Sequence, residues 1–429
     1  MIKFKSKNLR WTYKQLLVTV EKLAAWLSQN GCSSNSRGIA VFLPNSIEWV
    51  LFFWAAIKLG VPFIPLDPRS KESAFQTLLD STKPCVLVVE KGQESLCSGH
   101  EHIPIRIVCT QPGTPAEGDW LTLPEILSVE PNIIASDERK TIPREDPDTA
   151  LIIFTSGTTS APKGCCHTAR NLWSESFNFD PVSGDESVYR YIVHTPVWHI
   201  FAVNQMLRAW RYGHTVIFPS KYFDVQASVQ ALIEEKCTHI AVVPTLAYAM
   251  GEHPSIASQT PTSLKYISIG GTMITEGDIK YCKTRLGGEH VIQGFGLSEG
   301  IPISSWYRNS PLLAGGHRAG VGEILPGVRA KICLPKSQQP LNRGDVGELH
   351  IGGTSVIEKY LNNEQSGAFY KDQYGSWFIT GDQASIDEDG ILHIVGRYKD
   401  IIIRGGENVN PAEIERCLET FAGAKVRIP

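Results

Sequence analysis

Helical and strand-like periods alternate along most of the chain. In "KQLLVTVEKLAAWL" the apolar residues Leu16, Val20, Leu23 and Leu27 recur every three or four positions, the spacing of one helix face. The strand-like "GIAVFL" comes next, then an apolar helix from Ile47 to Leu59, then "PFIPL". The most apolar stretch, "WVLFFWAAIKLGVPFIPL", is broken by Lys58, Gly60 and Pro62 and falls short of the ~20 residues that span a bilayer, so it reads as a buried helix followed by a strand. After Ala150 the alternation resumes with "ALIIF", a helix from about Arg170, "YRYIVHT", a helix around Met206, "HTVIFP", a helix from Val225, "HIAVV", "LKYISIGG" and "HVIQGFG". Strands this apolar, separated by helices, predict mainly parallel sheets covered on both faces.

From about Val321 the texture changes to short strands and turns: "VRAKIC", "GELHIGG", "WFITGD" and "ILHIVGR". The chain therefore reads as α/β. Two doubly wound, mainly parallel βα units occupy 1–145 and 146–320, a small β-rich, barrel-like unit occupies 321–398, and 399–429 is a remainder. "QPGTPAEGD", starting at Gln111, is the best surface loop, and the charged segment from Ser136 to Asp148, with Pro143 and Pro147, is a plausible connection between the α/β halves.

Composition narrows the partners. The 429 residues carry 41 basic and 44 acidic side chains with no long run of either sign, which argues against a nucleic acid or an anionic membrane surface and for a small molecule. Ten cysteines are scattered without zinc spacing, and the opening "MIKFKSKNLRW" has no apolar signal segment, so the expectation is a reduced, cytoplasmic protein.

"TSGTTSAPKG", Thr155 to Gly164, follows a strand and packs hydroxyls, glycines and Lys163 into ten positions. Its order, Lys163 then Gly164, is not that of a Walker loop. Hydroxyls, backbone N–H groups and one cation can still surround a polyphosphate, although such a loop alone is common turn material. Three further motifs come in order: "GFGLSEG" at Gly294 to Gly300, "FITGD" ending at Asp382, and "GRYKDIIIRGGENVNPAEIE" from Gly396. Together the four resemble the ordered motifs of the adenylate-forming superfamily, which holds acyl-CoA synthetases, luciferases and peptide-synthetase adenylation domains. The resemblance runs from "WTYKQLL" to "NPAEIE".

That resemblance implies an ATP- and Mg²⁺-dependent ligase. A carboxylate attacks the α-phosphate to give an acyl-adenylate and pyrophosphate, and a thiol, on coenzyme A or on a carrier-protein phosphopantetheine, then takes the acyl group. Thr155, Ser156, Gly157, Thr158, Thr159 and Lys163 match the family's phosphate loop, and Glu299 matches its Mg²⁺ carboxylate. Phe295, between Gly294 and Gly296 and shortly before Ser298, stands where a tyrosine usually stacks on adenine, while Gly270, Gly271 and Thr272 match the segment on the base's other side. Asp382 would accept from the ribose hydroxyls, Arg397 would contact ribose or phosphate, and Asp400 matches the hinge of the small C-terminal domain.

His199 matches a residue that gates the carboxylate pocket, with Trp198, Phe201, Met206 and Val243 as candidate walls. Ala202 and Val203 stand where amino-acid-activating relatives place an aspartate, which disfavours a free α-amino acid. Two departures are visible. Ser160 replaces a usual glycine, and the chain ends at Pro429, so the expectation is a shortened C-terminal domain without the family's adenylation lysine and with impaired activity. Two other readings stay open: the adenylation unit of a multidomain synthetase or carboxylate reductase, and a non-catalytic nucleotide- or acyl-binding protein lacking its lid.

Overall fold

Local signals start and stop the helices where the periodicity places them. Thr12 accepts from the Gln15 backbone while the Gln15 side chain reaches back, a capping box that opens the helix Tyr13–Gln29. Ser46 caps Ile47–Leu59 through the Trp49 N–H, and Gly60 ends that helix in the left-handed region at φ 66°. Eight residues of Ile47–Leu59 are buried, so this apolar helix is an internal one. The strand predicted after it is Phe63–Pro65. The computed structural model describes residues 1–5, 8–129, 149–155, 162–177, 188–258, 263–306, 320–363 and 366–400, with the short pieces 402–404, 407–409 and 414. The proposed connection at 136–148 lies outside the described residues, and among them no helix is long and apolar enough to cross a membrane.

The first sheet has seven strands in the order Leu121–Thr122, Ile105–Cys109, Val86–Glu90, Ile39–Phe42, Phe63–Pro65, Thr149–Phe154 and Gly164–Thr168, parallel except for the last pair. The second has nine, in the order Glu323–Ile324, Gly300–Ser305, His290–Leu297, Tyr266–Ile269, His239–Val242, Arg190–Ile192, Thr215–Phe218, Ile2–Phe4 and Leu9–Trp11. Its middle is parallel and its two ends are antiparallel. The third is antiparallel throughout and is built from Val328–Cys333, Gly347–Gly353, Phe369–Asp372, Gly375–Ile386 and Leu392–Arg397.

The two large sheets exchange strands along the chain. Ile2–Phe4 lies parallel to Thr215–Phe218 in the second sheet, and Thr149–Phe154 lies beside Phe63–Pro65 in the first. One hydrophobic core joins them: Leu23, Trp49, Phe53 and Phe63 share it with Tyr191, Met206 and Phe218. Thr155, His194, Val243 and Gly270 each follow the carboxyl end of one of the strands. Ligands of open α/β sheets bind at that edge, and it is where the motif residues gather.

Candidate active site

The phosphate-loop segment is closed by its own ends. Thr149–Phe154 pairs antiparallel with Gly164–Thr168, the Thr155 N–H donates to the Lys163 carbonyl at 2.9 Å, and the Lys163 N–H donates to Thr155 Oγ1 at 3.2 Å. Ser156, Gly157, Thr158 and Thr159, with Ser160, lie outside the described residues. Gly164 leaves no room for a side chain, because a Cβ there would lie 2.9 Å from Leu361 Cβ and 3.1 Å from Ile152. Lys163 Nζ stands 5.5 Å from the ring centroid of Tyr360, a cation over an aromatic face.

Tyr360 links that lysine to Glu299. Ser298 and Glu299 form the turn between His290–Leu297 and Gly300–Ser305, where Leu297 pairs with Gly300. The Tyr360 hydroxyl donates to Glu299 Oε1 at 2.5 Å, and the Ile357 N–H donates to the Glu299 carbonyl at 2.9 Å. Burial first, then the negative charge of Glu299, raises the Tyr360 phenol well above its ordinary value, so it stays a donor. Among the described residues no group of three His, Cys, Asp or Glu side chains assembles a metal cage. A single carboxylate at this turn fits Mg²⁺, which typically uses one or two carboxylates and takes its other ligands from water and substrate phosphates.

Phe295 lies in the same hairpin, half-buried, with its register partner Ser304 on the neighbouring strand and its ring against the third sheet's core. Gly294 and Gly296 flank it. A Cβ on Gly270 would sit 2.9 Å from the Gly294 carbonyl oxygen, and Gly271, at φ 84°, turns the chain away from the strand. Thr272 is exposed just beyond. The Gly270–Gly271 turn and the Gly294–Gly296 strand therefore lie backbone against backbone beside Phe295.

Asp382 and Arg397 face each other as register partners of adjacent strands, with Arg397 Nε 2.8 Å from Asp382 Oδ1. Asp382 is only 2% exposed, yet its Oδ2 has no hydrogen-bond partner. Burial raises its carboxyl above the ordinary range, Arg397 pulls it back, and the charge of Glu299 adds to the rise. A buried carboxylate oxygen without a donor is costly. A ribose hydroxyl would relieve it, so the residues present fit the group that the motifs imply. Asp400 is exposed, in the short turn Tyr398–Asp400 directly after Arg397.

His199 occupies the N-cap position of the helix Ile200–Arg211 without capping it, and its residue is exposed. Of its candidate neighbours, Trp198 and Met206 are core, while Phe201 and Val243 keep accessible surface. Arg69 lies over Trp198 at 5.2 Å and over Tyr222 at 5.4 Å, held by two hydrogen bonds to Asp67 of 3.0 and 2.9 Å. Tyr360 and Arg69 are additions that sequence reasoning missed. Neither sits in a motif, and only the folded chain brings them to the site.

A family profile described as "AMP-binding enzyme" matches residues 2–361. The indoleacetate–CoA ligase of Aromatoleum aromaticum is 30% identical over 423 residues, covering 97% of this chain and 79% of that protein. Among solved structures, ATP-bound MatB from Rhodopseudomonas palustris superposes with a TM-score of 0.82 at 22% identity, covering 98% of this chain and 80% of the other. The o-succinylbenzoate coenzyme A synthetase (MenE) of Bacillus subtilis, in complex with ATP and magnesium ion, gives 0.79 at 23% identity, covering 98% and 81%. At these identities the structural likeness is one of fold.

Proposed function

The chain belongs to the AMP-binding enzyme family, and from that premise we propose that it activates a carboxylic acid with ATP and passes the acyl group to a thiol. In the first half-reaction a carboxylate oxygen bonds to the α-phosphorus of ATP and the bond to pyrophosphate breaks. In the second a thiolate bonds to the acyl carbon and AMP leaves. The single observation that carries the reading is the unpartnered Oδ2 of Asp382, buried and held by Arg397, within the electrostatic reach of Glu299.

Each role follows from what the group can do. Asp382 receives the ribose hydroxyls, and Arg397 steadies that carboxylate and offers its charge to ribose or phosphate. Phe295 stacks on the adenine, with Gly270, Gly271 and Thr272 across from it. Glu299 holds Mg²⁺, which would neutralise phosphate charge. Lys163 would bring its cation to the same oxygens, and Thr158 is assigned a hydroxyl donor's part there, where removing one such contact commonly costs ~10²–10³ in rate. His199 and Phe201 border the entry of the acid. Ala202 and Val203 are buried and apolar, so nothing there pairs with a substrate ammonium, and the acid is an acyl or aryl carboxylate. The acceptor is coenzyme A, as in the name of the indoleacetate relative, or the phosphopantetheine arm of a carrier protein.

The test is calorimetric binding of MgATP to the wild type and to Asp382→Ala, followed by pyrophosphate release over a panel of aliphatic, aromatic and amino acids. We expect Asp382→Ala to weaken ATP binding by at least about tenfold, the loss of one or two hydrogen bonds to a charged acceptor. Equal affinity in both proteins would withdraw the ribose site.

A further inference from the structure

A buried polar pair lies directly behind the Glu299 turn. His167, in the strand Gly164–Thr168, has no exposed side-chain surface and places Nε2 2.8 Å from the Ser298 carbonyl oxygen. That oxygen can only accept, so Nε2 carries the hydrogen. Its Nδ1 stands 3.3 Å from Glu175 Oε1, on the helix Ala169–Phe177, and the Glu175 side chain is equally unexposed. Neither Glu175 oxygen makes a hydrogen bond of good geometry among the described residues, and burial raises that carboxyl above its ordinary range. The imidazole and the carboxyl thus face each other across 3.3 Å, both enclosed by the fold.

The same strand–helix unit grips the turn from a second side. Asn171 Nδ2 donates to the carbonyls of Thr354 at 2.9 Å and Val356 at 3.1 Å, and the next residue, Ile357, donates its N–H to the Glu299 carbonyl. Buried ion-prone pairs are weak contributors to stability compared with apolar residues of similar volume, so the position of this one needs another reason. We propose that His167, backed by Glu175, is a positioning residue for the Mg²⁺ carboxylate. It fixes the Ser298 carbonyl, and so the direction of Glu299, relative to the phosphate loop that ends four residues before it at Lys163. Mg²⁺ demands near-ideal octahedral geometry, and outer partners of metal ligands typically matter 10–100-fold in metal affinity.

This rests on Glu299 holding the metal, and the experiment separates the two claims. The readout is the metal's contribution to ATP binding: the ratio of ATP dissociation constants in EDTA and in saturating Mg²⁺, measured by calorimetry on the full chain. His167→Leu alone would strand a buried carboxylate, so it is combined with Glu175→Leu, which keeps the volume and removes the orphan. The double variant should lose about tenfold of the ratio while its affinity in EDTA stays unchanged. His167→Gln, whose carboxamide N–H can still reach the Ser298 carbonyl, should retain the ratio. Glu299→Gln should collapse it. A double variant with the wild-type ratio overturns the positioning role alone, whereas a Glu299→Gln variant with the wild-type ratio overturns the metal assignment and this proposal together.

Discussion

At single positions one neighbour decides how a side chain titrates. Cys85 is half-buried, with its sulfur 3.7 Å from that of Cys32, and the Cys32 thiol as donor holds the Cys85 pKa well below the ordinary thiol range. Cys97 and Cys237, buried without such a donor, are pushed up to about 12. Iodoacetamide at neutral pH should therefore label Cys85 ahead of both, with a pH–rate midpoint below the ~8.5 of a free thiol, and Cys32→Ala should move the midpoint back up. A wild-type midpoint at the free-thiol value would dissolve the pairing. Nothing in the sequence joins positions 32 and 85. The thiols meet because the turn after the helix Tyr13–Gln29 lies beside the start of Val86–Glu90, a tertiary accident of packing. Asp382 was legible for the opposite reason: it sits in a motif whose order along the chain survives without knowledge of the fold.

At the scale of elements, close backbone approach sets what the site tolerates. Tyr266–Ile269 and His290–Leu297 are parallel neighbours, and a Cβ on Gly270 would meet the Gly294 carbonyl oxygen, which is backbone and cannot rotate away. Gly270→Ala should cost about 1–3 kcal/mol of stability and weaken ATP binding, because the displaced residue adjoins Phe295. Gly277, in the helix Glu276–Tyr281, has only ordinary contact with Thr275 Oγ1, so Gly277→Ala should leave binding alone and stabilise by up to about 1 kcal/mol. Urea unfolding and ATP calorimetry on both variants check this, and equal behaviour of the two would refute the close-approach argument. The central strands were readable because they are buried on both faces and flanked by helices of clear period. The short pieces Ile2–Phe4 and Leu9–Trp11 at one end of the second sheet were not: three residues each carry no period, and the pair joins the sheet only through Ile2–Phe4, whose partner Thr215–Phe218 lies some two hundred positions away.

The whole molecule has a weakness toward acid that no single element reveals. Chain order foretold alternating α/β units but not that the two large sheets trade strands, since pairing between distant segments leaves no local pattern. That interlocking buries histidines on the second sheet. His239 stacks on Tyr191 and Tyr266, with centroids 4.2 and 4.7 Å away, and His194 is enclosed with Nε2 bonded to the Ala241 carbonyl. Burial lowers His194 to about 4 and lowers His239 and His214 as well, and it acts the same way on His350 in the third sheet and on His199 at the start of Ile200–Arg211. Each has a folded pKa below its unfolded value near 6.5, so as pH falls the unfolded chain takes up protons that the fold refuses. Stability is complete above about 6.5 and drops through the window down to 4, by about 3 kcal/mol for His194 alone. Glu175 and Asp382, raised by burial, work in the other direction, because their protonation favours the fold. With five histidines against two carboxyls the net sign is acid lability. The melting temperature should be level from pH 8 to 7 and should fall steadily from 6.5 toward 4, and His194→Gln should fall less steeply over that range. A wild-type melting temperature that holds constant between pH 7 and 5 would mean that water or local opening reaches these rings, and that the histidines are not sealed beneath the interlocked sheets.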